Sequence, residues 1–388
     1  MRVMKRLFFV AIALFAMTGA ALATGTGGPA GEISSLAEVQ KYFRAIHVMA
    51  MLLVGFGFLM VFVKGYGRSA LVATFLLVSV AIPAYFLKDT FGFLGGSRSE
   101  VDRLILAEFA AASLLICAGA VLGRVKMHQY VLLGLLFVPC YAFNEWILLD
   151  GGFGLIEPGR FVDTGGSVVI HAFGALFGIG VAVSMTTRKE YETPIESDET
   201  SDRFSLLGSM MLWVFWPSFC AALVAPREIP ATVVNVVLAL CGSTLATYVA
   251  SLKLTGRISV ADIANAALAG GVAIGSTCDK VPASSAFAIG VLAGTLSTVG
   301  FERIQGWFGK LGKKVDTCGV LQLHGLPGLF GGAIAMFAVQ GIGRGAQIKG
   351  ILVTVACSIL SGLVVGKILS LAGRRATPYD DAEELLVD

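Results

Sequence analysis

Charged residues are scarce in this chain. They make up 14% of its 388 residues, whereas hydrophobic residues make up 56% and the mean hydropathy is +0.81. A soluble domain of this length has no need of so much apolar surface, which excludes a soluble fold. No basic cluster with interleaved aromatic residues occurs, so a nucleic-acid partner is not expected. The composition indicates a membrane protein that contacts lipid over much of its surface.

Cysteine and histidine are also sparse and scattered. The chain has seven cysteines and four histidines, and no two cysteines have the spacing CxxC. We therefore expect no disulfide framework, no metal site and no cofactor. Cys278 falls near the end of an apolar run. Most of the others lie within such runs, where a free thiol acts as a small hydrophobic side chain: Cys117, Cys140, Cys220, Cys241 and Cys357.

Long apolar runs account for most of the sequence. Their usual length of about 18–22 residues is that of a helix crossing a hydrocarbon core of about 30 Å. The 48 glycines are typical of membrane helices whose backbones approach closely. We predict an all-α polytopic membrane protein with eleven transmembrane helices, at residues 45–63, 69–88, 104–123, 130–149, 166–186, 205–224, 230–251, 260–277, 284–301, 319–340 and 346–371.

The two ends and the loop charges predict the orientation. Residues 1–23 read as a secretory signal peptide, with a positive start, a short apolar stretch and the cleavage site Ala-Leu-Ala; an uncleaved first helix is the alternative. Residues 24–44 would then form an external segment, and residues 372–388 a solvated cytoplasmic tail. With the N-terminus outside, thirteen Lys and Arg fall in cytoplasmic loops and eight in external loops. Both signals predict an inner-membrane protein with a cytoplasmic C-terminus.

One phrase of eighteen residues occurs twice. Residues 163–180 read DTGGSVVIHAFGALFGIG and residues 316–333 read DTCGVLQLHGLPGLFGGA. At an offset of 153, seven positions are identical, among them Asp163/Asp316 and His171/His324. Ionisable residues inside membrane segments are costly and usually functional. The repeat therefore predicts two related halves around one site.

The predicted spans place the two copies in opposite directions. Span five closes the first half and span ten the second, so spans 1–5 and 6–10 form an inverted repeat. An Asp at each helix start can cap free backbone N–H groups. Each His lies eight residues further on, or about 12 Å deeper. Entering from opposite sides of a core of about 30 Å, His171 and His324 should come within roughly 6 Å along the membrane normal.

A buried histidine pair has several possible roles. Axial ligation of haem usually uses two histidine pairs on a four-helix bundle. The repeated phrase offers no such spacing, so haem ligation is not favoured. A zinc hydrolase needs a third ligand and typically a Glu base, and HExxH is absent. A structural role is the alternative for a single buried His, but repetition by internal symmetry favours function. His47 and His128 lack such support and read as structural or solvated, and Glu108 and Glu145 as packing or capping residues.

Five segments have a distinctive sequence: HVMAMLLVGFGFLMVFV (47–63), NEWILLD (144–150), MLWVFWPSF (211–219), ALAGGVAIG (267–275) and DTCGVLQLHGLPG (316–328). With them the chain resembles the Rh branch of the ammonium transporter/Rhesus family over about residues 40–370. The most specific of the five is DTCGVLQLHGLPG.

The resemblance implies a homotrimer with one hydrophobic pore in each subunit. It assigns His171 and His324 to the pore, with Asp163 and Asp316 as supporting residues. Phe219 of WPSF matches one of two stacked phenylalanines at the outer mouth, and Phe109 of AEFAAAS matches the other. Classical ammonium transporters have a Trp in span four as part of a cation cage. Trp146 follows Asn-Glu as in the Rh pattern instead, so a low-affinity mouth is implied.

The expected function is therefore transport of ammonia or ammonium rather than enzymatic catalysis. Neutral ammonia is far cheaper to move through an apolar pore than ammonium, and two imidazoles can offer it hydrogen bonds. Conduction of CO2, electrogenic ammonium transport and an intramembrane hydrolase remain as alternatives.

Overall fold

The computed structural model describes residues 29–90, 94 and 98–386, and that part of the chain contains helices and no strand. The predicted signal peptide, residues 1–23, lies outside it. Its principal helices are α1 Pro29–Ala50, α2 Gly67–Thr90, α3 Glu100–Gly119, α4 Met127–Leu149, α5 Ser167–Met185, α6 Glu199–Cys220, α7 Ile229–Thr255, α8 Val260–Ile274, α9 Ala283–Val299, α10 Leu321–Ala338 and α11 Arg344–Leu371. Short helical segments continue α1 as far as Phe62. After α9 the chain continues with the helical segments Gly300–Ile304 and Gln305–Gly312.

These eleven helices correspond one to one with the predicted spans. In the part of the chain that the structure describes, eight of these helices have the length and apolar composition needed to cross a membrane. The other three are α3, α6 and α8. Helix α3 carries Glu108 in addition to the charges of its first turn, α6 begins with polar turns, and α8 is shorter and apolar. All three are nevertheless packed among the long helices, which replace lipid contacts with protein contacts.

Helix α1 begins earlier than predicted. It is already helical at Pro29, within the segment 24–44 that we expected outside the membrane. Its polar residues have partners at the start of α3: Glu38 accepts a hydrogen bond from Ser99 Oγ at 2.9 Å, and Lys41 pairs with Asp102 at 2.9 Å. These partners stabilise helical turns that lack the apolar residues on which the sequence prediction depended.

The crossing of α1 and α6 shows the inverted repeat independently of the repeated phrase. A Cβ on Gly55 would lie 2.7 Å from the Leu212 side chain, and one on Gly208 would lie 2.1 Å from the Leu59 backbone. In both cases the α6 residue follows its α1 counterpart by 153 positions (Gly55/Gly208 and Leu59/Leu212), the offset of the repeated phrase. Reciprocal contacts of this kind are expected where a pseudo-twofold axis runs between two helices.

The expectation of a solvated C-terminal tail is wrong, because residues 375–384 fold back onto the ends of the helices. Tyr379 N–H donates to Gly123 O at 2.9 Å, and Gly123 has φ +75°, where a Cβ would lie 2.3 Å from the Tyr379 ring. Asp381 accepts from Ser69 N–H at 2.8 Å at the start of α2, and Glu384 accepts from Met127 N–H at 3.1 Å at the start of α4. The acidic residues of the tail thus cap helix N-termini, where negative charge is favourable.

A buried arginine holds this tail together. The Arg375 side chain is fully buried, pairs with Glu384 at 2.5 Å and Glu383 at 3.4 Å, and lies over the Tyr66 ring at 5.2 Å. Burial alone would raise the pKa of Glu383. Hydrogen bonds from two backbone N–H groups and the charge of Arg375 outweigh it, so the pKa lies below its ordinary value.

Candidate functional site

His171 of α5 and His324 of α10 meet in the centre of the bundle, as predicted. Their Nδ1 atoms are 3.2 Å apart, the rings are nearly parallel at 6°, and the ring centroids are separated by 5.3 Å. Both side chains are buried, with 2% and 3% of their surface exposed. An Nδ1–Nδ1 hydrogen bond needs one donor and one acceptor, so the two neutral rings must be opposite tautomers. One Nε2 atom of the pair is therefore a donor and the other an acceptor.

Both histidines lie in short π-helical segments, Ser167–Ala172 and Leu321–Gly325. Such segments are rare and often mark functional sites, because they turn side chains away from the regular helical positions. Each segment follows shortly after a glycine with positive φ, Gly166 at +74° and Gly319 at +66°. Glycine adopts this conformation without the penalty that a Cβ brings. The two glycines are themselves equivalent in the repeat, so the same local backbone presents both rings.

Asp163 caps the start of α5, as the sequence predicts. Its carboxylate accepts hydrogen bonds from Val168 N–H at 3.0 Å, Val169 N–H at 2.8 Å and Ser276 Oγ at 2.6 Å. The carboxylate satisfies backbone donors that have no partner within the helix. His171 lies in the same π-helical segment as both N–H groups, so Asp163 is linked to the ring through the backbone of that segment.

Asp316 plays the equivalent part for α10. It accepts from Val320 N–H and Leu321 N–H, both at 3.0 Å. Here the neighbouring polar group is Arg124, which is 1% exposed and donates to Thr317 Oγ1 at 3.2 Å and to Val315 O at 2.7 Å. No sequence pattern predicts Arg124 at this place, since it reads as an ordinary loop charge.

Phe109 of α3 and Phe219 of α6 lie beside the histidine pair on the Asp163 side. Their ring centroids are 4.7 Å apart and their planes are tilted by 51°. The Phe219 ring lies 6.0 Å from the His171 ring. With 6% and 3% exposure, both phenylalanines are buried between His171 and that end of the bundle. The family resemblance implied two stacked rings; here the two rings lie together, but they are tilted and not stacked in parallel.

Two further aromatic side chains flank the histidines, and sequence reasoning missed both. Trp216 stacks on His171 at 5.5 Å and 18°, and Phe56 lies 6.1 Å from His324. Trp216 precedes Phe219 by three residues, so helical spacing places both on one face of α6. That spacing was the available signal for Trp216. Phe56 lies in the π-helical segment of α1, whose side-chain direction is not predictable from a regular helical period.

A narrow cavity of about 20 Å³ extends from His324 towards the opposite side of the bundle. Its wall is largely apolar, and the only polar side chains besides His324 are those of Asn265 and Cys318. The lining residues are Phe56, Leu59, Met60, Phe62, Leu115, Ile116, Gly119, Asn265, Cys318, Val320, Leu323 and His324. Together with the phenylalanine pair, it outlines a candidate apolar path that includes the two histidines.

The other two histidines lie apart from this path. His47 is half-buried, with its Nδ1 2.9 Å from Ser218 Oγ and its ring stacked on Phe215 at 5.0 Å. His128 is half-buried near the start of α4. His47 thus has the surroundings expected of a structural residue.

Glu108 of α3 and Glu145 of α4 are both buried. Glu145 accepts hydrogen bonds from Tyr85 Oη at 2.5 Å and Tyr141 Oη at 3.4 Å, so it belongs to a buried polar network. Glu108 is 1% exposed and immediately precedes Phe109. Among the described residues, no group of three or more His, Cys, Asp and Glu side chains could hold a metal ion.

The comparisons with known proteins agree with this architecture. The family model described as Ammonium Transporter Family matches residues 6–385. The Ammonium transporter Rh type A of Mus musculus is 33% identical over 377 residues, which cover 91% of this chain and 83% of that protein. The Ammonium transporter Rh type B of Homo sapiens is 39% identical over 319 residues, which cover 78% of this chain and 67% of that protein.

A solved structure described as "Nitrosomonas europaea Rh50 and mechanism of conduction by Rhesus protein family of channels" has a TM-score of 0.88 and 51% identity. The match covers 90% of this chain and 93% of that chain. A "Sensor Amt Protein" is similar in fold alone, with a TM-score of 0.72 and 18% identity. The match over nearly the whole length, together with the repeated Asp-Thr-x-Gly and His positions, shows that this chain belongs to the ammonium transporter family, and within it to the Rh branch.

Proposed function

We propose that this protein is a membrane channel, and not an enzyme, that passes neutral ammonia through the apolar path between the phenylalanine pair and the Asn265 side of the cavity. The observation that carries the proposal is the histidine pair. Two buried imidazoles bond to each other through Nδ1. His171 Nε2 is buried and has no partner among the described residues, so it is free to bond a molecule in the path.

The proposed substrate form follows from the cost of desolvation. An ammonium ion that leaves water for an apolar path loses its hydration, and an unpaired buried charge is far more costly than a neutral polar molecule. The lining of the cavity beside His324 contains no carboxylate. Ammonia accepts one hydrogen bond and donates three, so a donor Nε2 and an acceptor Nε2 in series suit it. Ammonium would leave its proton on the entry side and ammonia would take one up on the other.

The entry side supports low-affinity passage. Trp146 packs on Phe153 at 4.9 Å and Phe143 at 6.2 Å, so its ring has aromatic neighbours from its own region of the chain. A cation cage needs aromatic faces directed at one point, which lowers the desolvation cost of ammonium. We therefore place recognition in the hydrogen bonds of the histidine pair and exclusion of hydrated ions in the apolar constriction.

An experiment on purified protein in liposomes tests the function. An inward ammonium gradient should alkalinise the interior faster than in protein-free liposomes, because entering ammonia takes up a proton. On a supported membrane the same gradient should give no current. The rate should follow the ammonia concentration as pH is varied at constant total ammonium. A saturable current that follows the ammonium concentration would show electrogenic transport instead. Slower ammonia entry in the presence of CO2 would point to a path that both gases share.

We propose that the N-terminus is outside the cell and the C-terminus inside, in the inner membrane, with residues 1–23 acting as a signal peptide. The loop charges and the alternating direction of eleven helices support this orientation. A cytoplasmic reporter fused after Asp388 should be active, and a reporter that works only in the periplasm should be inactive there. Periplasmic activity would contradict the orientation and leave the inverted repeat itself unaffected.

We also propose that three subunits assemble around a threefold axis, each with its own path. Exposed apolar side chains of α6 and α7 (Met210, Val214 and Leu245, 58–62% exposed) offer surface for lipid or a second subunit. Native mass spectrometry in mild detergent should show three copies. A monomer that conducts ammonia at the full rate per subunit would contradict a requirement for assembly.

A further inference from the structure

The end of α6 contains a proline two residues before Phe219. Pro217 has no backbone N–H, so it cannot donate to Trp213 O as another residue at this helical position would. The last helical turn, which carries Phe219, is therefore joined to the rest of α6 by fewer backbone hydrogen bonds than an ordinary turn. Contacts with other helices consequently contribute more to its position than they would in an unbroken helix.

Helix α1 supplies such contacts on both sides of the proline. His47 Nδ1 lies 2.9 Å from Ser218 Oγ, and the His47 ring stacks on Phe215 at 5.0 Å with an interplanar angle of 25°. Three positions earlier on α1, Arg44 Nε donates to Ala222 O at 3.3 Å, just beyond the end of α6. The outer part of α1 thus holds the last turn of α6 from one side.

The residue that His47 contacts adjoins Phe219 in the chain. Ser218 and Phe219 point about 100° apart around the helix, as consecutive helical residues do. Ser218 faces α1, whereas the Phe219 ring lies 4.7 Å from the Phe109 ring and 6.0 Å from the His171 ring. Movement of this turn relative to α1 therefore moves the Phe219 ring relative to its two aromatic neighbours.

We propose that His47 is a positioning residue that sets the selectivity of the channel between ammonia and larger amines. The proposal rests on the proposed function, because Phe219 limits passage only if the path runs beside its ring. Through Ser218 and Phe215, His47 keeps the rings of Phe109 and Phe219 close together. Ammonia needs a small displacement of these rings, and methylamine, which has a methyl group in place of one hydrogen, needs a larger one. Holding the rings therefore slows methylamine more than ammonia.

The imidazole makes two contacts that substitutions can separate. Its Nδ1 atom reaches the Ser218 hydroxyl while its flat face stacks on Phe215. Leucine at position 47 makes neither contact. Asparagine places an oxygen or a nitrogen two bonds beyond Cβ, where Nδ1 stands in histidine, so it keeps the hydrogen bond and loses the stacked ring.

The permeability ratio of methylamine to ammonia tests the proposal, measured by alkalinisation of liposomes under matched gradients of the two ammonium salts. His47→Leu should raise this ratio about fivefold, the effect expected for one net hydrogen bond. His47→Asn should largely restore the original ratio. Ser218→Ala removes the same bond from the other side with a smaller change, so the double variant of His47→Leu and Ser218→Ala should differ little from His47→Leu alone.

His128→Leu is the matched control, because it removes a half-buried imidazole near the start of α4 and should leave the ratio unchanged. A merely structural role of His47 would reduce the amount of folded protein and the unfolding temperature. It would not change the ratio of two permeabilities measured on the same liposomes, nor would asparagine restore that ratio.

The reaction of Cys220 with N-ethylmaleimide gives a second measurement that does not depend on what the protein conducts. Cys220 follows Phe219 and is 1% exposed, so it reacts when the last turn of α6 opens. Peptide mapping should find it labelled several-fold faster in His47→Leu and in Ser218→Ala than in the unaltered protein. Labelling of Cys117, which is 0% exposed on α3, should not change.

The two measurements separate this proposal from the proposed function. If the unaltered protein does not conduct ammonia, the proposed function fails and the labelling of Cys220 still reports whether His47 holds the end of α6. Unchanged labelling in both His47→Leu and Ser218→Ala would overturn the positioning role. Faster labelling with an unchanged permeability ratio would overturn the effect of His47 on selectivity.

Discussion

Replacing His171 with leucine should slow ammonia permeation about tenfold or more. Leucine has a similar size but offers no hydrogen bond, and loss of one hydrogen-bonding partner in a buried setting costs about 1–3 kcal/mol. Each 1.4 kcal/mol added to the barrier slows passage about tenfold. Leucine also leaves His324 Nδ1 without its partner at 3.2 Å. Stopped-flow alkalinisation of liposomes containing equal amounts of folded protein measures the effect.

The equivalent change His324→Leu should act in the same way, because the repeat makes the two rings interchangeable partners. His128→Leu is the matched control, since that histidine is half-buried and lies apart from the path. His171→Glu should add a current, because a carboxylate offsets part of the desolvation cost of ammonium. Normal permeability in both leucine variants would show that the histidines only fill space.

Replacing Asp163 with alanine should reduce permeability strongly even though Asp163 does not touch His171. Alanine leaves Val168 N–H, Val169 N–H and Ser276 Oγ without the acceptor they now share. Unsatisfied buried donors cost about 1–3 kcal/mol each, so the π-helical segment around His171 should rearrange. A lower unfolding temperature in detergent and slower permeation in liposomes should appear together.

Asparagine at the same position should be much milder. Its carbonyl oxygen can accept from the two N–H groups, and its amide can face Ser276, whose hydroxyl can turn to accept. The difference between Asp163→Ala and Asp163→Asn thus separates capping from negative charge. If asparagine is as harmful as alanine, the charge itself is required. If neither variant changes permeability, the position of His171 does not depend on this cap.

The sequence was sufficient for the parts that depend on local chemistry and on membrane thickness. Apolar runs of membrane length predicted all eleven helices, since a chain in lipid must satisfy its backbone within helices. The repeated phrase predicted the helix-capping aspartates and the approach of His171 to His324. That prediction required only the helical rise and opposite directions of entry.

The remaining features depend on contacts between residues that are far apart in the chain, and only the tertiary structure decided them. The acidic tail looks solvated until Asp381 and Glu384 are seen at the starts of α2 and α4. Trp216 and Phe56 read as ordinary apolar residues, and only the packing of α6 and α1 brings their rings to the histidines. The sequence by itself determined the helices and the histidine pair, since both follow from local periodicity and symmetry. The packing of the helices determined which side chains surround that pair, because no local sequence pattern encodes contacts between distant helices.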